Sequence, residues 1–154
     1  MTTIKIWQFF NRSDLYECYQ CARCTGSCPA MQVVPALGPR GTILTCLDQG
    51  HDKVVEDEKI WHCCTCNVCD DRCPQKIPIT DLLVALRNSA ARRGNVPGRL
   101  LLAVELLAKT GRSMIVNQLD EMRAHHGLKP LPPAPVEEIR AILKKTGFDD
   151  VVEF

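Results

Sequence analysis

The feature that most limits what this chain can become is a pair of matching cysteine runs. Cys18, Cys21, Cys24 and Cys28 are followed by Pro29, and Cys63, Cys66, Cys69 and Cys73 by Pro74, so each run reads C-x2-C-x2-C-x3-C-P. Every position of the first run maps onto its counterpart 45 residues later. One such pair is an internal duplication and not a solenoid, which needs at least three stacked units to bury a continuous core.

Ten cysteines in 154 residues have two ordinary uses, disulfides and metals. Disulfide frameworks belong to oxidising compartments, whereas Met1 to Phe10 lacks the basic segment and apolar run of a secretory signal. The expectation is therefore a cytoplasmic chain whose thiols are held for metal or redox work. Three thiols at x2 spacing wrap one side of a cubane iron-sulfur cluster, and a distant fourth supplies the last corner. In two-cluster ferredoxins the fourth cysteine of a run ligates the other cluster. Carried to this chain, that rule gives one 4Fe-4S cluster on Cys18, Cys21, Cys24 and Cys73, and a second on Cys28, Cys63, Cys66 and Cys69. The proline after each fourth cysteine lacks an N–H and fixes its own φ, which turns the chain away from the site. A zinc-stabilised binding module is the competing use of four-cysteine sets, although zinc usually takes two separated pairs and not triplets plus one.

Several residues near the runs take a second reading. Cys64 adjoins Cys63, where consecutive side chains diverge, and is expected to be a packed bystander; Cys46 is expected as a small buried hydrophobe. His62 could replace a thiolate as histidines do in Rieske centres, yet its run already supplies four cysteines. Arg23, Arg72 and Lys76 lie within or beside the runs, either raising a cluster's potential or simply solvated, and the sequence does not separate these readings. Trp7 and Trp61 are expected in the core and not as electron relays.

The rest of the chain reads as helices. Gly38, Pro39 and Gly41 precede a short linking helix over Thr42 to Asp48, stopped by Gly50. Pro78 and a candidate N-cap at Thr80 open a second, with Leu82, Leu83, Leu86 and Ala90 on one face, ending at Gly94. Pro97 and Gly98 open a third whose Leu100, Leu101, Val104, Leu107 and Ala108 form a broad apolar face before Gly111. Ser113 is the expected cap of a fourth, with Ile115, Val116, Leu119 and Met122 on one side and Gly127 as its end. Only Thr3 to Trp7 alternates as a strand would. Lys129 to Pro135 holds four prolines and must be an extended spacer, beyond which Val136, Ile139, Ile142 and Leu143 pattern a last short helix stopping at Gly147. The expected fold class is all-α, with a cluster-binding domain over 1–127 and, over 128–154, a proline-rich arm and terminal helix that contact a partner.

Composition narrows the function by exclusion. With 19 basic and 18 acidic residues, net +1, no strong field draws the chain to nucleic acid or anionic lipid. The best apolar stretch, Leu100 to Ala108, contains Glu105 and falls far short of the about 20 residues a transmembrane helix requires. No phosphate loop, dinucleotide fingerprint or Ser/His/Asp arrangement is present, and cysteines fill every motif position, which leaves no open coordination site. The chain is expected to conduct electrons and not to catalyse.

Cys18-Tyr-Gln-Cys21 through Gly26-Ser-Cys28-Pro29, with Trp61-His-Cys63-Cys-Thr-Cys66 through Arg72-Cys73-Pro74, resembles the C subunit of heterodisulfide reductase. Thr110-Gly111-Arg112 fits the same family, and the resemblance spans about Asp14 to Ser113, with the proline-rich tail matching loosely. The cysteine motif is shared with a wider group of helical ferredoxin domains. The alternative is thus an iron-sulfur subunit of another dehydrogenase complex, of the succinate or anaerobic glycerol-3-phosphate dehydrogenase type. The resemblance implies an alpha-helical ferredoxin core with two 4Fe-4S clusters in a soluble hetero-oligomer. There it would relay electrons from a flavin-bearing A subunit to a disulfide-reducing B subunit, which in methanogenic archaea reduces the coenzyme M-coenzyme B heterodisulfide. Bacterial relatives use similar modules on other substrates. The disulfide-reducing subunit is marked by Cys-Cys-Gly segments, whereas here Cys63-Cys64 is followed by Thr65, so the resemblance makes this chain the wire and not the reducing site.

Overall fold

The computed structural model describes residues 10–34, 38–114 and 118–148, and among these every regular element is helical. The chain divides into two compact units, Met1–Val96 and Pro97–Phe154.

The first unit holds both cysteine runs. Its helices are α1 (Ser13–Tyr16), α2 (Arg23–Gly26), α3 (Pro39–Asp48), α4 (His51–Val55), α5 (Val68–Arg72) and α6 (Ile79–Arg92), with 3-10 turns at Pro29–Gln32 and Glu58–His62. The linking helix α3 begins at Pro39, earlier than the expected Thr42, because a first-turn residue needs no N–H and proline's φ is already helical. It buries Thr42, Ile43 and Cys46 on one face. Gly50, expected as a stop, adopts φ 87 and passes the chain into α4, an element the periodicity did not announce, which buries Val54 and Val55.

Helix α6 carries the expected stripe: Leu82, Leu83, Leu86 and Ala90 are all buried. Each such leucine contributes about 1.5–3 kcal/mol by leaving water. Thr80 is not the N-cap. Pro78 holds that position, and Thr80 lies buried inside the first turn, its N–H bonded to the Asp70 carboxylate of α5 at 2.9 Å. A carboxylate from a neighbouring helix thus satisfies one of the free N–H groups of the helix start.

The second unit holds α7 (Gly98–Thr110), α8 (Leu119–His125) and α9 (Val136–Lys145). Gly111 caps α7 at φ 70, and a Cβ added there would stand 2.7 Å from the Ala134 Cβ, so the proline-rich arm passes directly over the cap. Arg112 holds the arm at the Pro132 carbonyl (2.8 Å), Arg123 at that of Lys129 (2.7 Å), and Asp120 accepts from the Leu131 N–H (3.1 Å). α9 packs on α7, where Arg140 Nε donates to the Ala108 carbonyl at 3.0 Å. The arm and terminal helix, read from the sequence as an extension from residue 128, share this unit with α7 and α8. α8 starts at Leu119 after Gln118, not at Ser113, and Met122 is 60% exposed, so its expected buried face does not form at that residue. Ile115, Val116, Trp7 and the strand pattern Thr3 to Trp7 lie outside the described residues.

Candidate metal centre

The two cysteine runs share one backbone. Gln20 and Ala22 adopt φ of 62 and 63, and their counterparts Thr65 and Asn67 adopt 50 and 60. None is glycine, and apart from asparagine these residue types enter the left-handed region rarely. Strain of this kind persists only where surrounding structure imposes it, and it concentrates at functional sites. Each loop then runs into a short helix, α2 or α5, and leaves it through an extended cysteine. Cys28 has φ −78 and ψ 117, Cys73 has φ −74 and ψ 115, the conformation a following proline favours. α2 packs against α5, which sets the loops side by side.

Two cavities open between them. Cys18, Cys21, Cys24 and Cys73 line the first, together with Gln20 and Arg40. Cys28, Cys63, Cys66 and Cys69 line the second, with Cys64 on its wall. Within each loop depth follows order: Cys18 and Cys63 are half-buried, Cys21 and Cys66 exposed, Cys24 and Cys69 buried. The four run cysteines on each cavity fit the donor set of a 4Fe-4S cubane, and Cys64 is a fifth cysteine on the second. The sulfurs stand on cavity walls, and among the described residues no three His, Cys, Asp or Glu side chains gather round a single-ion position. The donor chemistry fits a cluster.

Burial raises the Cys24 thiol above its usual range and pushes Cys69 up to about 11, whereas the Arg23 N–H lowers that of exposed Cys21. Three donors reach other sulfurs or their neighbours. Gln20 Nε2 lies 3.4 Å from Cys18 Sγ, the Thr65 N–H donates to Cys63 Sγ at 3.4 Å, and the Thr80 hydroxyl is 3.4 Å from Cys69 Sγ.

Residues singled out in the sequence are placed as follows. Arg23, Arg72, Lys76 and His62 are exposed. Cys46 is buried, 1% exposed, its thiol pushed up to about 11 by desolvation. Cys64 is exposed and not packed, and it lines the second cavity beside Cys66. Trp61 is half-buried against the core and donates to the Asn95 carbonyl at 3.0 Å. Among the described residues of the first unit the half-buried Lys and Arg side chains are two that sequence reasoning missed, Arg40 and Arg87. Both lie on helices outside the runs. The one available signal was the place of Arg87 beside Leu86 and one turn after Leu83, at the margin of the buried stripe of α6.

The helical fold and the thiol-lined cavities define an iron-sulfur protein. The family pattern described as a 4Fe-4S dicluster domain matches residues 14–77. The C subunit of the H(2):CoB-CoM heterodisulfide,ferredoxin reductase of Methanothermobacter marburgensis is 34% identical over 148 residues, covering 92% of this chain and 80% of its own. The iron-sulfur C 2 subunit of the CoB-CoM heterodisulfide reductase of Methanocaldococcus jannaschii is also 34% identical, over 92% of this chain and 78% of its own. The C subunit of the ferredoxin:CoB-CoM heterodisulfide reductase of Methanosarcina mazei is 34% identical over 90% of this chain and 89% of its own. The chain belongs to the family of heterodisulfide reductase C subunits, and is an iron-sulfur, electron-transfer subunit of a multi-subunit oxidoreductase. Among the described residues no helix is long and apolar enough to cross a membrane.

Proposed function

We propose that the chain holds two 4Fe-4S clusters, one on Cys18, Cys21, Cys24 and Cys73 and one on Cys28, Cys63, Cys66 and Cys69, and relays electrons from a flavin-bearing A subunit to a disulfide-reducing B subunit. The observation that carries this reading is that each cavity is lined by the first three cysteines of one run and the fourth cysteine of the other. When bound, the clusters supply one-electron redox chemistry at cubanes with no open coordination position. The residues do the rest. Cys24 and Cys69 seat each site in the core, while Cys21 and Cys66 face solvent, so each site keeps one edge within reach of a partner. Crossing of the fourth ligands locks the loops together and keeps the sites adjacent.

The relatives are named for the CoB-CoM heterodisulfide, and the substrate class proposed for this complex is likewise a disulfide. The arm and α9 are the proposed contact with a partner, supported by Ile142, which stands 60% exposed on α9. Free thiols throughout fit a reducing cytoplasm.

Anaerobic purification from the native host tests the reading. About eight irons per chain with matching sulfide are expected from two cubanes, beside a flavoprotein and a Cys-Cys-Gly-type subunit; zinc without sulfide would overturn it. Cys73→Ser should expose Cys18, Cys21 and Cys24 to alkylation, mapped by mass spectrometry, and Cys28→Ser should expose Cys63, Cys66 and Cys69. Exposure of the fourth cysteine's own loop instead would refute the crossed ligand sets.

A further inference from the structure

The two sites are built alike but charged unlike. At the first, Arg40 of α3 lines the cavity and donates through Nε to the Gln20 side-chain oxygen at 2.9 Å. The other end of that amide, Nε2, donates to Cys18 Sγ at 3.4 Å. The guanidinium polarises the amide toward the sulfur, so cation and hydrogen bond act in the same sense. Arg40 is held there by its backbone N–H, which donates to Thr25 Oγ1 of α2 at 3.0 Å.

At the second site no charged side chain lines the cavity among the described residues. Instead the Asp70 carboxylate lies 3.7 Å from Cys69 Sγ, anchored by the Thr80 N–H at 2.9 Å. A free thiol can donate to that carboxylate. A ligating sulfur has no proton to give, which leaves Asp70 a negative charge beside an electron-rich ligand.

Reduction adds negative charge to a site, so a half-buried cation favours it and a half-buried anion opposes it. Neutral donors reach sulfurs at both sites, the Thr65 N–H and the Thr80 hydroxyl at the second and the Gln20 amide and the Arg23 N–H at the first. These are neutral dipoles, whereas Arg40 and Asp70 carry full charges of opposite sign, and the charges set the order. Glu17, Arg23, Asp71, Arg72 and Lys76 are exposed beside the loops and screened by water and salt. Arg87, half-buried, donates to the carbonyls of Ile60 and Cys63 and brings a cation near the second site, where the Asp70 charge opposes it, whereas Arg40 stands at the first cavity with no carboxylate on its lining among the described residues.

Resting on the two-cluster reading above, we infer that Arg40, acting through Gln20, makes the first site the more easily reduced of the two, and that Asp70 makes the second the harder to reduce. The relay therefore has a built-in direction, from the second site to the first. Arg40 and Asp70 are positioning and tuning residues, not ligands.

A redox titration followed by electron paramagnetic resonance on the anaerobically purified full chain tests this. The unaltered chain should show two midpoints. Arg40→Gln should lower the higher one and leave the lower in place. Asp70→Asn keeps an oxygen for the Thr80 N–H and removes the charge, so it should raise the lower midpoint and leave the higher. Arg40→Lys keeps the charge and should shift the higher midpoint less than Arg40→Gln does; it decides the matter with Asp70→Asn if Arg40→Gln does not take up iron. The inference is overturned if Arg40→Gln lowers the lower midpoint, or if fully iron-loaded variants leave both midpoints unmoved. An unaltered chain without iron and sulfide would remove the two-cluster reading itself, a distinct failure read before any titration.

Discussion

Arg87 of α6 donates its guanidinium to the main-chain carbonyl of Cys63, the residue that opens the second loop, and its Nε to that of Ile60 at 2.8 Å. Its guanidinium carbon also stands 5.7 Å from the centre of the Trp61 ring. One side chain therefore fastens the most buried helix of the first unit to the backbone entering the second site. Arg87→Met keeps the apolar stem and removes both bonds, each a charged-group hydrogen bond worth about 1.5–3 kcal/mol. The expected loss is roughly 3 kcal/mol or more, read from urea unfolding of the loaded chain. A loss under about 1 kcal/mol would mean that neither bond is maintained in solution.

The two cysteines outside the proposed ligand sets should differ sharply in reactivity. Cys64 is exposed, whereas Cys46 is 1% exposed with a thiol pushed up to about 11 by burial. Alkylation requires the thiolate, and three pH units below its pKa a thiol is about a thousandth ionised. Raising the pH increases that fraction, but burial still bars the reagent. At pH 8 the iron-loaded chain should take up iodoacetamide at Cys64, with Cys46 labelled only after denaturant is added. Rapid labelling of Cys46 in the folded chain would contradict its place in the core.

Gly111 combines a φ of 70 with a Cβ position 2.7 Å from Ala134. Gly111→Ala should therefore destabilise the second unit by more than about 1 kcal/mol, since it adds backbone strain to a steric clash. The change is read in the thermal unfolding of the full chain. Iron content should not change, because the eight proposed ligands lie in the other unit.

Truncation before Lys129 separates two roles of the tail. It removes α9 from α7 and the Arg140 bond to Ala108, so the second unit should lose helicity by circular dichroism. Cluster content should stay at the full-length value. Assembly with partner subunits should fall, and copurification at undiminished yield would count against the arm and α9 as a partner contact.

Much of the site was legible in advance because ligand chemistry is written in spacing. The cysteines that the duplicated run and the ferredoxin pairing rule group together line one cavity each, with Cys64 beside them on the second. The stripe of α6 was equally plain, since Leu82, Leu83, Leu86 and Ala90 repeat at helical period. What spacing cannot carry is the sign of φ at Gln20, Ala22, Thr65 and Asn67, residues whose local preference points elsewhere and whose strain the tertiary fold imposes. Thr80 misled for a related reason. As a hydroxyl before an apolar run it looks like a cap, but Asp70, ten residues earlier on α5, serves its N–H and leaves the hydroxyl for Cys69.

By itself the sequence carried the cysteine pattern proposed to hold the clusters, the helical character of the fold and the buried face of α6. Only the tertiary structure decided which charges bear on the sites. Arg23, Arg72 and Lys76 are near the cysteines along the chain yet exposed, whereas Arg40 lines the first cavity and Asp70 sits against Cys69, both half-buried. A charge acts through distance and the dielectric around it, and both are set by packing and not by position in the chain.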